Sequence, residues 1–177
     1  MRQLAWALGI IVAMPAAAEL SSYAGQQSRA VKSLSEQEVA DLLAGNGMGL
    51  AKAAELNRYP GPRHVLDLGG ELGLSEQQIE AVRTVFARMR REAQSLGAMI
   101  VERETMLDRL FAEARIGAGL LEAETAVIAE LQGRLRRVHL AAHLDTRQVL
   151  TTEQVDRYTI ARGYGTRATG GHETRHH

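Results

Sequence analysis

The chain has 177 residues, 21 Lys+Arg against 21 Asp+Glu, no cysteine and 4% aromatic residues. The balanced charge argues against a nucleic-acid binder working through a large basic footprint. Lack of cysteine excludes disulfides, thiolate metal sites, cysteine nucleophiles and a lipidated N-terminal cysteine.

Residues 1–18 read as a signal peptide: Met1 and Arg2 give a positive start, Leu4 to Ala13 is apolar, and Ala16-Ala17-Ala18 is a small-residue cleavage motif. The remainder is one domain's worth of chain. No later apolar run approaches the ~20 residues that cross a bilayer, so no membrane span is expected after cleavage. Few aromatics and an abundance of Ala, Leu, Arg, Glu and Gln predict an all-α protein.

Residues 19–61 are expected to form a flexible leader with short helices. Ser35 caps the first, roughly Glu36 to Ala44, and Glu38 completes a capping box. Gly45-Asn46-Gly47-Met48-Gly49 stops it; with no preceding strand and no Walker lysine, this is a loop rather than a phosphate cradle. A second short helix spans Leu50 to Leu56. Tyr59-Pro60-Gly61-Pro62 is a break, and Pro62 suits the first turn of the next helix.

Residues 62–163 form the expected main domain. Ser75 is an N-cap with Gln78 at the third helical position. Ile79, Val82, Phe86, Met89, Ala93, Leu96, Ile100, Leu107, Leu110 and Ala114 then recur at spacings of three and four, with Arg103 the one interruption. That heptad stripe predicts a helix of about 40 residues, roughly 60 Å long. Gly117 and Gly119 are expected to end it. A second stripe runs through Leu121, Ile128, Leu131, Leu135, Val138, Ala142 and Val149, interrupted by Glu124 and Asp145. A short turn near residue 118 makes the two helices an antiparallel hairpin. Thr151 caps a short last helix ending near Gly163, and residues 164–177 are expected to be a disordered, His-containing tail. So thin a hairpin has a poor surface-to-volume ratio, which predicts a homodimer.

Leu74-Ser75-Glu76-Gln77-Gln78 recurs 76 residues later as Leu150-Thr151-Thr152-Glu153-Gln154. Two such helix starts bracketing a long hairpin, in an exported cysteine-free chain, resemble the Spy/CpxP superfamily of periplasmic proteins with its repeated Leu-Thr-x-x-Gln motif. The superfamily includes a heavy-metal-resistance and metal-sensor branch of the CnrX and ZraP type. The segment Val85-Phe86-Ala87-Arg88-Met89-Arg90-Arg91-Glu92 is similar to that branch's first long helix. The resemblance implies a periplasmic, non-enzymatic dimeric cradle of hairpins. Its partners would be unfolded clients bound without ATP, a membrane stress sensor, or an anti-sigma protein; in the metal branch, transition metals are held by His, Glu and Met.

The leading metal candidates are His139 and His143, four apart on one helix flank, a spacing that can chelate Zn, Ni, Co or Cu. With the turn near 118 they face residues 97 and 93, so Glu92 and Met89 or Met99 are candidate further ligands. The metal branch carries paired histidines before its first long helix; here only His64 stands there. The alternative is a pair of partly exposed surface histidines. Position 140 is Leu, not the general-base Glu of a zincin, and no nucleophile–base set is present. The tail histidines His172, His176 and His177 could also capture metal or simply be solvated.

The chain has 19 Arg and two Lys. Arg83, Arg90, Arg103 and Arg136, with Met89, are candidates for a face that holds unfolded segments, because Arg joins a planar charge to an apolar stem and Met adapts its shape. The alternative is a solvated flank paired to Glu80, Glu92, Glu102 and Glu104. Three functions are compatible with these residues: an ATP-independent chaperone of the Spy/CpxP type, a periplasmic metal sensor, or a regulatory binding module for a membrane sensor.

Overall fold

The computed structural model describes residues 21–165; the signal segment and most of the tail lie outside them. All regular elements among these residues are helical: a 3-10 turn at Gln26–Ser28, then α1 (Glu36–Ala44), α2 (Lys52–Glu55), α3 (Pro62–Asp67), α4 (Gly69–Leu72), α5 (Glu76–Ala112), α6 (Ala118–Val149) and α7 (Thr152–Ala161). None is long and apolar enough to cross a membrane. The two long helices pack against each other as the sequence predicts.

Three helix starts follow the expected chemistry. Ser35, Ser75 and Thr151 each accept a bond from the backbone N–H three residues on, and Glu38, Gln78 and Gln154 reach back to the cap. The end of α5 departs from expectation. It stops at Ala112, not at the glycines. Ala114 takes the left-handed conformation, φ 52°, and the Arg115 N–H bonds the Leu110 carbonyl at 2.9 Å. A Schellman-type closure has formed on an alanine. Gly117 becomes the N-cap of α6 and Gly119 lies inside it.

The hairpin seam buries Ala93, Leu96, Ile100, Leu131 and Leu135, with Leu42 of α1 joining them. A second cluster at the base gathers Val65, Leu72, Val82, Leu150, Val155 and Tyr158. Each residue that interrupts a stripe finds a partner across the hairpin: Arg103 lies 3.5 Å from Glu124, and Asp145 pairs with Arg88, which lies on the flank of the first stripe. Polar breaks in both apolar stripes are thus matched.

The segment read as a leader packs onto α5. Val31, Leu42 and Ala51 are buried. Lys32 pairs with Asp108 at 2.9 Å, and the Ser33 hydroxyl donates to Glu104 at 2.7 Å. α1 comes so close at Gly97 that an added Cβ would lie 2.1 Å from the Leu42 carbonyl oxygen. A glycine in the middle of a long helix has low propensity; here it makes room for a neighbouring backbone.

Candidate functional site

The two Leu-Ser/Thr-x-x-Gln segments come together. Having capped their own helices, Gln78 and Gln154 bond each other reciprocally: Gln78 Nε2 donates to Gln154 Oε1 at 2.9 Å, and Gln154 Nε2 to Gln78 Oε1 at 3.1 Å. Gln78 also donates to the Val149 carbonyl at 2.9 Å, and Gln154 to that of Gly73 at 3.3 Å. Leu74 and Leu150 sit in the base cluster. The repeated motif is therefore a clasp joining the start of α5 to the junction of α6 and α7.

Between the two core clusters lies a cavity of about 660 Å³. The α1–α2 loop, α3, and one flank each of α5 and α6 wall it. His139, His143, His64 and Met89 all line it. Glu92 is exposed and is not part of the wall, while Met99 lines a separate depression further out. The reversal at 113–117 lies before the turn assumed near 118, which shifts the register and brings Phe86, Met89 and Arg90 into the cavity wall alongside the histidines.

The histidine pair is not a surface pair. His139 is 3% exposed and His143 9%. The α1–α2 loop, α2 and the loop after α2 cover them, elements whose packing no periodicity within α6 could reveal. His143 Nδ1 donates to the Tyr59 carbonyl at 2.7 Å and lies 3.7 Å from Glu55 Oε2. A Cβ at Gly61 would press on the other ring edge, 3.1 Å from Nε2. His139 Nε2 is buried without a hydrogen-bond partner. Burial, and secondarily the neighbouring His143, hold the His139 pKa below its ordinary value, so the ring is neutral at neutral pH. Burial, then Arg162, does the same to His64.

Glu55, unremarked in the sequence, is the polar hub beside the cavity. It accepts from the Tyr158 hydroxyl at 2.6 Å, the Tyr164 hydroxyl at 3.2 Å and the Gly61 N–H at 3.2 Å, and Arg162 Nε lies 3.5 Å away. Burial first, and then this bond, push the Tyr158 hydroxyl pKa well above its ordinary value. Its only sequence signal was position: a lone carboxylate at the end of a short helix before a Pro-Gly-Pro break.

Among the described residues no group of three or more His, Cys, Asp or Glu is arranged to hold a metal ion. A metal at the pair would need a Met or solvent ligand to complete its shell.

The proposed client residues do not form one face. Arg83 is exposed beside Glu80, 3.7 Å away. Met89 and Arg90 belong to the cavity, Arg136 is exposed, and Arg103 lies at the outer depression. What periodicity did not signal is the apolar surface of the distal hairpin. Met99, Met106, Phe111, Leu120, Leu121 and Val127 are each 37–56% exposed. Met99 and Val127 share a depression of about 280 Å³ with Leu131, edged by Arg103, Arg134, Glu102 and Glu130.

Comparison of the chain with family models, with curated proteins and with solved structures yields no match.

Proposed function

We propose that this is a non-enzymatic, exported hairpin protein of the Spy/CpxP type that holds unfolded clients without ATP on its distal half. The observation that carries the reading is the exposed apolar surface from Met99 to Val127. Exposed apolar side chains in a depression rimmed by polar residues, as Met99 and Val127 are, mark sites of interaction. Two of the surface's members are methionines, whose flexible thioethers adapt to varied partners. The alternating Arg and Glu at its edge suit segments of either charge. The Leu-Ser/Thr-x-x-Gln clasp supports the family reading, since it gives the repeated motif a shared structural task. A periplasmic location and pairing of two hairpins into a cradle belong to the same proposal.

The test is suppression of aggregation of a denatured model client, without ATP, at near-stoichiometric chaperone. Met99→Ser/Val127→Ser should abolish it, whereas Ile160→Ser, exposed on α7, should not. Absence of suppression, or suppression indifferent to the distal pair, refutes the reading.

One observation favours a second reading, binding of Zn, Ni, Co or Cu. The Nδ1–H of His143 is committed to a backbone carbonyl, which orients the ring as metal-ligating histidines usually are and leaves Nε2 free. Calorimetric titration of the chain, of a form ending at Gly165, and of His139→Ala/His143→Ala discriminates. Binding that survives truncation and vanishes in the double variant supports a hairpin site; binding lost with the tail alone removes it.

A further inference from the structure

The cavity between the two cores carries charge that the hairpin does not need. Lys52, Arg63, Arg90 and Arg162 line it, against Glu55 and Asp67. Glu55 is already engaged by two hydroxyls, a backbone N–H and Arg162, and Asp67 faces His64 at 3.8 Å. Among the described residues Lys52, Arg63 and Arg90 form no ion pair. Among the described residues His139 Nε2, in this wall, is buried without a hydrogen-bond partner. Buried polar groups are almost always satisfied, so an unpartnered imidazole nitrogen in this wall marks a place where a missing partner belongs. Phe86, Met89, Met48, Pro62 and Leu66 supply the cavity's apolar wall, beside Asn46 and the three histidines. Its volume is in the range that encloses a small organic ligand. Met48 itself is held at a positive φ of 43°, and strain of that kind gathers at ligand clamps.

We propose that this cavity binds a small amphiphilic anion, an apolar chain or ring bearing one carboxylate or sulfonate. The apolar part lies against Phe86, Met48 and Met89, and the anionic group against Arg90 and Lys52. An inorganic anion alone would waste the apolar wall. A neutral amphiphile would leave the cations unpaired. Arg90 supplies the planar fork that matches a carboxylate, and such charge-assisted bonds are the strong ones. The inference stands apart from the client reading, since the distal depression shares no residue with this cavity.

The test is calorimetric titration of the chain with decanoate and, separately, naphthalene sulfonate, beside decanol and decyltrimethylammonium as head-group controls. We expect one saturable site per chain for at least one anion, with both controls weaker by roughly tenfold or more. Lys52→Gln/Arg90→Gln should weaken the anion by roughly tenfold; both side chains are exposed, and an unchanged melting curve verifies the fold. Arg63→Gln, on α3, is a second variant with a smaller loss in the same direction. Met99→Ser/Val127→Ser should leave binding intact, so failure of this site and failure of the client surface are read separately. The proposal is overturned if neither anion saturates, if the three decyl head groups bind alike, if the Lys52/Arg90 variant binds unchanged, or if the distal variant loses binding.

Discussion

Replacing one glycine by alanine should act in opposite directions at two places in the hairpin. Gly97 and Gly133 both lie inside long helices, where alanine is favoured by about 1 kcal/mol. A Cβ at Gly133 meets nothing within 4 Å, so Gly133→Ala should raise the melting temperature by about 2–4 °C. A Cβ at Gly97 would lie 2.1 Å from the Leu42 carbonyl oxygen and 2.6 Å from its carbon. Ordinary contact begins at 3.4 Å, so α1 must retreat by about 1.3 Å. The obstacle is backbone, which cannot rotate aside. Retreat uncovers Leu42, now 6% exposed, whose burial is worth about 1.5–3 kcal/mol. Subtracting the propensity gain leaves a net loss of about 0.5–2 kcal/mol, a fall of a few degrees. Thermal unfolding by circular dichroism compares the two variants, and amide exchange should show lost protection in α1 of Gly97→Ala. If Gly97→Ala stabilises as Gly133→Ala does, the close approach of α1 is wrong.

Three further outcomes rest on the same contacts. Gln78→Ala and Gln154→Ala should each cost about 1–3 kcal/mol, since each leaves the other amide short of partners; a double-mutant cycle in urea should return a coupling near 1 kcal/mol, and additivity within about 0.3 kcal/mol would contradict the clasp. Ala114→Gly should stabilise by about 1 kcal/mol, because glycine takes the left-handed conformation without a Cβ penalty; a lower urea midpoint would show that the turn closes differently. The folded pKa values of His139 and His64 lie below the unfolded value of about 6.5, so the unfolded chain binds more protons as pH falls below that value. Their contribution is therefore complete above about pH 6.5 and lost on acidification below it. Melting temperature should drop between about pH 6.5 and pH 5, and His139→Gln should flatten that slope; an unchanged slope would place the imidazole in water.

Local chemistry was legible in the chain. Ser35, Ser75 and Thr151 announce helix starts because a cap and its partner lie within four residues of each other. The stripe from Val82 to Leu110 announces a seam because helical period is a property of neighbours in sequence. The glycines misled at the reversal: Gly117 and Gly119 read as the end of α5, yet the closing geometry falls on Ala114, where tertiary context outweighs preference. The histidines misled for another reason. Position on α6 tells which flank His139 and His143 share, but not that the α1–α2 loop, α2 and the loop after α2 cover that flank.

The sequence by itself determined an all-α chain, its helix boundaries to within a few residues, and the antiparallel pairing of two long helices. Each rests on interactions between residues a turn apart, or on one short connection. Only the tertiary structure decided that Gln78 and Gln154 clasp, that Gly97 admits the α1 backbone, that Glu55 gathers two tyrosines, and that cations and the unpartnered His139 nitrogen converge on one cavity. These contacts join distant parts of the chain: Gln78 and Gln154 are separated by 76 positions, Glu55 and Tyr164 by 109. Nothing in local propensity or period carries information across such distances; packing of the two apolar clusters brings those residues together.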